Sequence, residues 1–258
     1  MSNTGPIVAV AVAMPVAAAL ILQGTGMIDL THAARAKSPP SVQSIPIGTP
    51  TALADPPLKA GAAGIVLPAP AALGTLTRAD VAEGYARVKT ILAAAHLEPG
   101  TVFEGETRAY TDLLAAYQRT QFLHGLNSTD PTRNTRSELT AFDPAGFTQA
   151  APIRAGGTAT AGAASAQGPV GISDGVLVKT RLVAVYTFRR TGSDRVEQVI
   201  SRRDADLFIA SPGGPGRVEV WTGRWNNTIE DVDCMAPDGF LHPLTSASAP
   251  TCVRTTRH

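Results

Sequence analysis

Between Gly175 and Asn226 the apolar positions follow a strand pattern. Val176–Arg190 reads VLVKTRLVAVYTFRR and is rich in β-branched and aromatic residues. Its second half alternates, with Leu182, Ala184, Tyr186 and Phe188 on one face and Arg181, Val183, Val185, Thr187 and Arg189 on the other. Thr191-Gly192-Ser193-Asp194 is a short polar reversal, after which Arg195–Ala210 returns as a second strand. Ser211-Pro212-Gly213-Gly214-Pro215-Gly216 forces another turn, and Arg217–Asn226 follows with Val218, Val220, Trp221 and Trp225. The expectation is three sequential strands in an antiparallel meander.

Upstream the period lengthens from two to about 3.6 residues. Thr77-Arg78-Ala79-Asp80 resembles a capping box with Asp in place of Glu. It predicts a helix to about His96 that buries Val81, Tyr85, Val88, Ile91, Leu92 and Ala95. Pro99-Gly100 ends the connection, and a second helix is expected from about Thr107 to Gln121, with Tyr110, Leu113, Leu114 and Tyr117 on one face. Thr140–Pro144 reads as an extended piece ending in a turn, and Ala151–Ala161 as a weak strand. Gly156–Gly171 is low-complexity Ala, Gly, Ser and Thr, expected to fray. The fold class is therefore α+β, with helices packed on a curved antiparallel sheet.

A different pattern occupies the first residues. No charged side chain occurs from Ser2 to Ile28, and Pro6–Leu22 is continuously apolar. Extended through Gly24, Gly26, Met27 and Ile28, the stretch reaches the ~20 residues a membrane span requires. An uncleaved membrane helix, a cleaved signal peptide and a buried core helix compete. The signal peptide lacks a basic n-region, and the core helix would be apolar all round ahead of a polar tract. The membrane helix is favoured, over residues 1–37 with its flank. Arg35 and Lys37 on its C-terminal side would place the body in the cytoplasm by the positive-inside rule. Ser38–Pro70 then holds eight of the twenty prolines. It is expected to be a semi-rigid spacer, partly polyproline II, within a linker over 38–75. Residues 76–258 form the α+β body with an irregular C-terminal tail.

Charge and cysteine content change this picture only in part. The formal charge is +1, which argues against nucleic acid or an acidic polymer as partner. Cys234 and Cys252 are the only cysteines, spaced for one disulfide closing a loop, worth about 3 kcal/mol. Two unrelated thiols is the alternative. A disulfide would place the body outside the cytoplasm, against the positive-inside reading.

Candidate chemistry is sparse. His32, His96, His124, His242 and His258 are scattered singly, and no Gly-x-Ser-x-Gly elbow, Walker loop or HExxH occurs. Glu230, Asp231, Asp233 and Asp238 cluster without the loop pattern of a calcium site. Arg189, Arg190, Arg202 and Arg203, with Asp204 and Asp206 nearby, read as a solvated charged face. Catalytic, cofactor-binding and metal-ligating residues are accordingly expected to be none. Tyr186, Trp221 and Trp225 are the large side chains of the meander. Core packing is their default role, and a candidate binding surface the sharper one.

The C-terminal tract Asp233-Cys234-Met235-Ala236-Pro237-Asp238-Gly239-Phe240-Leu241-His242-Pro243, after an apolar segment, proline spacer, helices and strands, resembles membrane-anchored proteins of actinomycetes. The resemblance covers roughly residues 76–243 and implies location and architecture, since that group has no assigned activity. The order of elements is also similar to NTF2-like, cystatin-type α+β domains, which host enzymes and binding modules alike. The expected function is a membrane-anchored, extracytoplasmic, single-pass envelope module, secreted if the first segment is cleaved. It would bind a protein partner or a small apolar ligand and need no cofactor. The alternative is an NTF2-like enzyme, performing proton transfer or hydrolysis in a pocket between helices and sheet.

Overall fold

Residues 56–258 are described by a computed structural model, apart from 169–170, 215, 234–235, 245–251 and 257–258, and Cys252–Thr256 are described by backbone alone. The apolar run, most of the spacer and the side chains of both cysteines lie outside the described residues. Among the described residues, no helix is long and apolar enough to cross a membrane.

Alternation builds the sheet. Strand β4 (Gly171–Arg190) pairs antiparallel with β5 (Val196–Ala210), and β5 with β6 (Glu219–Ile229), as the three-strand expectation requires. Leu182, Ala184, Tyr186 and Phe188 are all buried on the inner face. Strands β1 (Lys59–Ala60), β2 (Phe147–Gln149), β3 (Arg154–Gly168) and β9 (Cys252–Thr256) complete a seven-stranded sheet ordered β1-β3-β4-β5-β6-β9. β2 pairs with the end of β4, on the side where β3 pairs with the rest of it. A separate small pairing joins β7 (Val232–Asp233) to β8 (His242–Pro243).

The helices lie against the inner face. Helix α1 (Arg78–His96) starts on the expected capping box: Thr77 Oγ1 accepts from the Asp80 amide, and Asp80 Oδ2 accepts from the Thr77 amide. The Asp80 carboxyl is held below the usual range, chiefly by the Thr77 hydroxyl and also by the Gly216 amide, which ties the β5–β6 turn to the helix start. All six apolar residues expected on its face are buried. Gly84 lets α1 approach β5, because a Cβ there would stand 2.5 Å from Ile209 Cγ2.

Helix α2 (Pro99–Phe103) begins at the proline expected to end the connection, since proline suits a first helical position. The second predicted helix is split into α3 (Arg108–Thr111) and α4 (Ala116–Gly125). Arg119 folds back across the break, donating to the carbonyls of Thr111 at 2.7 Å, Asp112 at 3.0 Å and Leu114 at 3.3 Å. The split leaves Leu113 exposed while Tyr110 and Leu114 stay buried.

Two further expectations need correction. The stretch expected to fray is β3, a fifteen-residue strand paired with β4 from Arg154↔Val185 to Gly168↔Gly171. Low strand propensity is overridden because each backbone group facing β4 finds a ladder partner. Part of the expected linker is also built into the body. Lys59 and Ala60 pair with β3, Gly61–Gly64 forms a 3-10 turn, and Ile65 is buried.

A β-bulge decides where the tryptophans go. Ala205 opposes Trp225 and Leu207 opposes Thr222, so Gly223 and Arg224 of β6 stand against Asp206 alone. The extra residue reverses side-chain parity along β6. Trp225 therefore faces the inner core, while Trp221 faces outward against Phe208 at 5.5 Å.

Candidate functional site

The inner face carries a buried polar cluster to which six elements contribute. His96 ends α1, Tyr110 lies in α3, and Glu138 ends the 3-10 turn Thr135–Glu138 with Thr140 just beyond it. Tyr186 comes from β4, Arg203 from β5 and Trp225 from β6. All are at most 3% exposed.

Hydrogen bonds tie the two layers together. His96 Nδ1 lies 3.2 Å from Thr140 Oγ1, and Tyr186 Oη donates to the His96 carbonyl at 3.1 Å. Tyr110 Oη donates to Glu138 Oε2 at 3.1 Å, and Arg203 Nη1 to the Glu138 carbonyl at 2.8 Å. The Trp225 ring meets His96 edge to face at 5.3 Å and lies 5.1 Å from the Arg203 guanidinium carbon. His96 Nε2 and Trp225 Nε1 have no hydrogen-bond partner among the described residues.

Burial sets the protonation states. It pushes His96 well below the ordinary histidine range, and the Arg203 charge adds to the effect, so the imidazole is neutral at pH 7. Tyr110 is pushed well above its usual value by burial and then by the Glu138 charge. Tyr186 is pushed up to about 12 by burial, with the Thr140 hydrogen bond opposing. A neutral imidazole among hydroxyls could pass a proton. The cavity bordering the cluster, lined by Gln118, Glu138 and Thr222 among others, measures about 40 Å³. That admits about one water, whereas substrate pockets run to roughly 300 Å³ or more.

The other candidates fall elsewhere. Tyr186 and Trp225 share the inner face, Trp221 is on the outer one, and all three are at most 4% exposed. They do not form one binding surface. Tyr117 of α4 covers Trp221 edge to face at 6.2 Å, and the indole Nε1 donates to Glu219. The arginines are only partly a solvated face. Arg181 pairs with Asp204 and Arg202 with Glu230 at the surface, but Arg203 is sunk in the core. Its position was readable, since Val199, Ser201, Arg203, Ala205 and Leu207 fall on one face of β5. Glu138 had no comparable signal.

His242 pairs with Asp238 at 2.9 Å, and His124 is exposed. Among the described residues, no three His, Cys, Asp or Glu side chains come together as a metal site. The cysteine pair lies outside the described residues.

The sheet's two edges are finished differently. On β6, beyond β9, Gln118 substitutes for a strand: its Nε2 donates to the Thr222 carbonyl at 2.7 Å, and its Oε1 accepts from the Thr222 amide at 3.1 Å. On β3, β1 covers Arg154 and Ala155, and the Val66 amide donates to the Gly157 carbonyl at 2.9 Å. From Thr158 to Gly168, no described strand lies on the outer side.

Comparison with family models, with curated proteins and with solved structures gives no match in any of the three.

Proposed function

We propose that this chain is a membrane-anchored, extracytoplasmic binding or scaffold module of the cell envelope. The observation that carries the reading is the condition of the inner polar cluster. Its hydroxyls, imidazole and guanidinium join helices to sheet, and the adjoining space is about 40 Å³. Such groups hold a body rigid, which a docking module needs, and they leave little room for a substrate. The apolar run Pro6–Leu22 and the prolines that follow supply the tether, raising the local concentration of the body near membrane partners. A Cys234–Cys252 disulfide belongs to the same reading.

Protease added to intact spheroplasts tests it. The body should be cleaved without lysis, remain in the membrane fraction beforehand, and yield a Cys234–Cys252 linked peptide by non-reducing mass spectrometry. Protection until lysis, or free thiols at both positions, would overturn the extracytoplasmic placement.

A second reading, an NTF2-like enzyme, is favoured by the convergence of His96, Tyr110, Glu138 and Tyr186 between helices and sheet. It requires a substrate whose turnover is lost in His96→Gln while the fold is retained.

A further inference from the structure

Among the described residues, the outer edge of β3 from Thr158 to Gly168 is an uncapped pairing surface with a definite register. Val66 donates to the Gly157 carbonyl and Gly61 to the Ile153 carbonyl, so these odd-numbered residues turn their backbone groups outward. Strand period two then points the amides and carbonyls of Ala159, Ala161, Ala163, Ser165 and Gln167 the same way. None of these groups has a hydrogen-bond partner on that side among the described residues. Thr158, Thr160, Gly162, Ala163, Ser165 and Gln167 are exposed. The usual guards of a free edge are missing: from Ala155 to Gly168 there is no charged residue, no proline, and no register break against β4.

The geometry points to a second copy of this chain as the occupant, with β3 pairing antiparallel to β3 of that copy about a two-fold axis at Ala163. Centring there uses the whole free run, since Thr158 then opposes Gly168 of the second copy. Ala163 faces its own counterpart, Ala161 faces Ser165, and Ala159 faces Gln167. A two-fold axis sets a strand against itself, and any charge near the axis would meet its own sign. An uncharged strand of small side chains satisfies that condition. The sheet would run continuously through both copies, with the helices of each on the same side. Neutrality along the whole run is required only of a strand that meets itself, which favours a second copy over an unrelated peptide. The inference is independent of whether the module also binds another partner.

The test uses the full chain in detergent solution, with protein mass from light scattering and amide exchange along β3. A dimer is expected, with exchange at Ala159, Ala161, Ala163 and Ser165 slowing as protein concentration rises. Ala163→Pro removes an outward amide from each copy, so both bonds of the central pair are lost and dimerisation weakens on the order of tenfold or more. Gly162→Lys is the second variant, because a side chain there meets nothing within 4 Å and its charge would stand diagonally across the axis from its counterpart, within reach of a long side chain. Gly162→Glu alone should likewise be monomeric, and mixing it with Gly162→Lys should restore a dimer. A monomeric parent chain, or a dimer that survives in folded Gly162→Lys, overturns the inference. The second result would locate self-association elsewhere, the apolar first segment included. Should Ala163→Pro fail to fold, the Gly162 pair decides alone.

Discussion

Replacing Gln118 by Leu tests how the β6 edge is closed. The side chain is 8% exposed and makes three hydrogen bonds to Thr222: Nε2 to the carbonyl at 2.7 Å, Nε2 to Oγ1 at 3.1 Å, and Oε1 from the amide at 3.1 Å. Leu nearly preserves volume, so the cavity contribution is small. The variant loses the bonds and leaves the Thr222 amide and carbonyl buried without partners, at about 1–3 kcal/mol per group. The expected loss is therefore about 3–4 kcal/mol, or roughly 10 °C in melting temperature for a body of this size. Urea and thermal unfolding followed by circular dichroism measure it, and amide exchange at Thr222 locates it. Gln118→Ala should cost more, since it adds a cavity. A Gln118→Leu protein within about 1 kcal/mol of the parent would show that the glutamine amide does not hold this edge.

Three other perturbations bear on the same architecture. His96 is neutral when folded and titrates near 6.5 when unfolded, so its contribution is intact above about pH 6.5 and falls by up to about 1.4 kcal/mol per pH unit below it. His96→Gln should remove that slope between about pH 6.5 and 5, and identical slopes in both proteins would refute the assignment. Trp221 and Trp225, 4% and 1% exposed, should emit at short wavelength and resist acrylamide; strong quenching of the folded protein would contradict their burial. Gly84→Ala would press a Cβ to 2.5 Å from Ile209 Cγ2, and a loss of about 1–3 kcal/mol in denaturant unfolding is expected, whereas an unchanged midpoint would mean that α1 can move off β5.

The sequence by itself determined what depends on near neighbours. Alternation from Leu182 to Phe188 and two glycine-bearing reversals specified the meander, because side-chain direction in a strand follows from position alone. Thr77 and Asp80 specified the start of α1, and its period specified the buried face, because both are local geometry. Tertiary structure decided whatever depends on a distant partner. Thr158 to Gly168 is strand only because β4 supplies its ladder, a condition invisible in its own small side chains. Trp221 and Trp225, four residues apart, would share a face in a regular strand, and the bulge against Asp206 separates them. The inner polar cluster was half legible. Arg203 stands at an inward position of β5, but Glu138 and His96 acquire their meaning only when α1, the 3-10 turn and three strands meet, which no local pattern encodes.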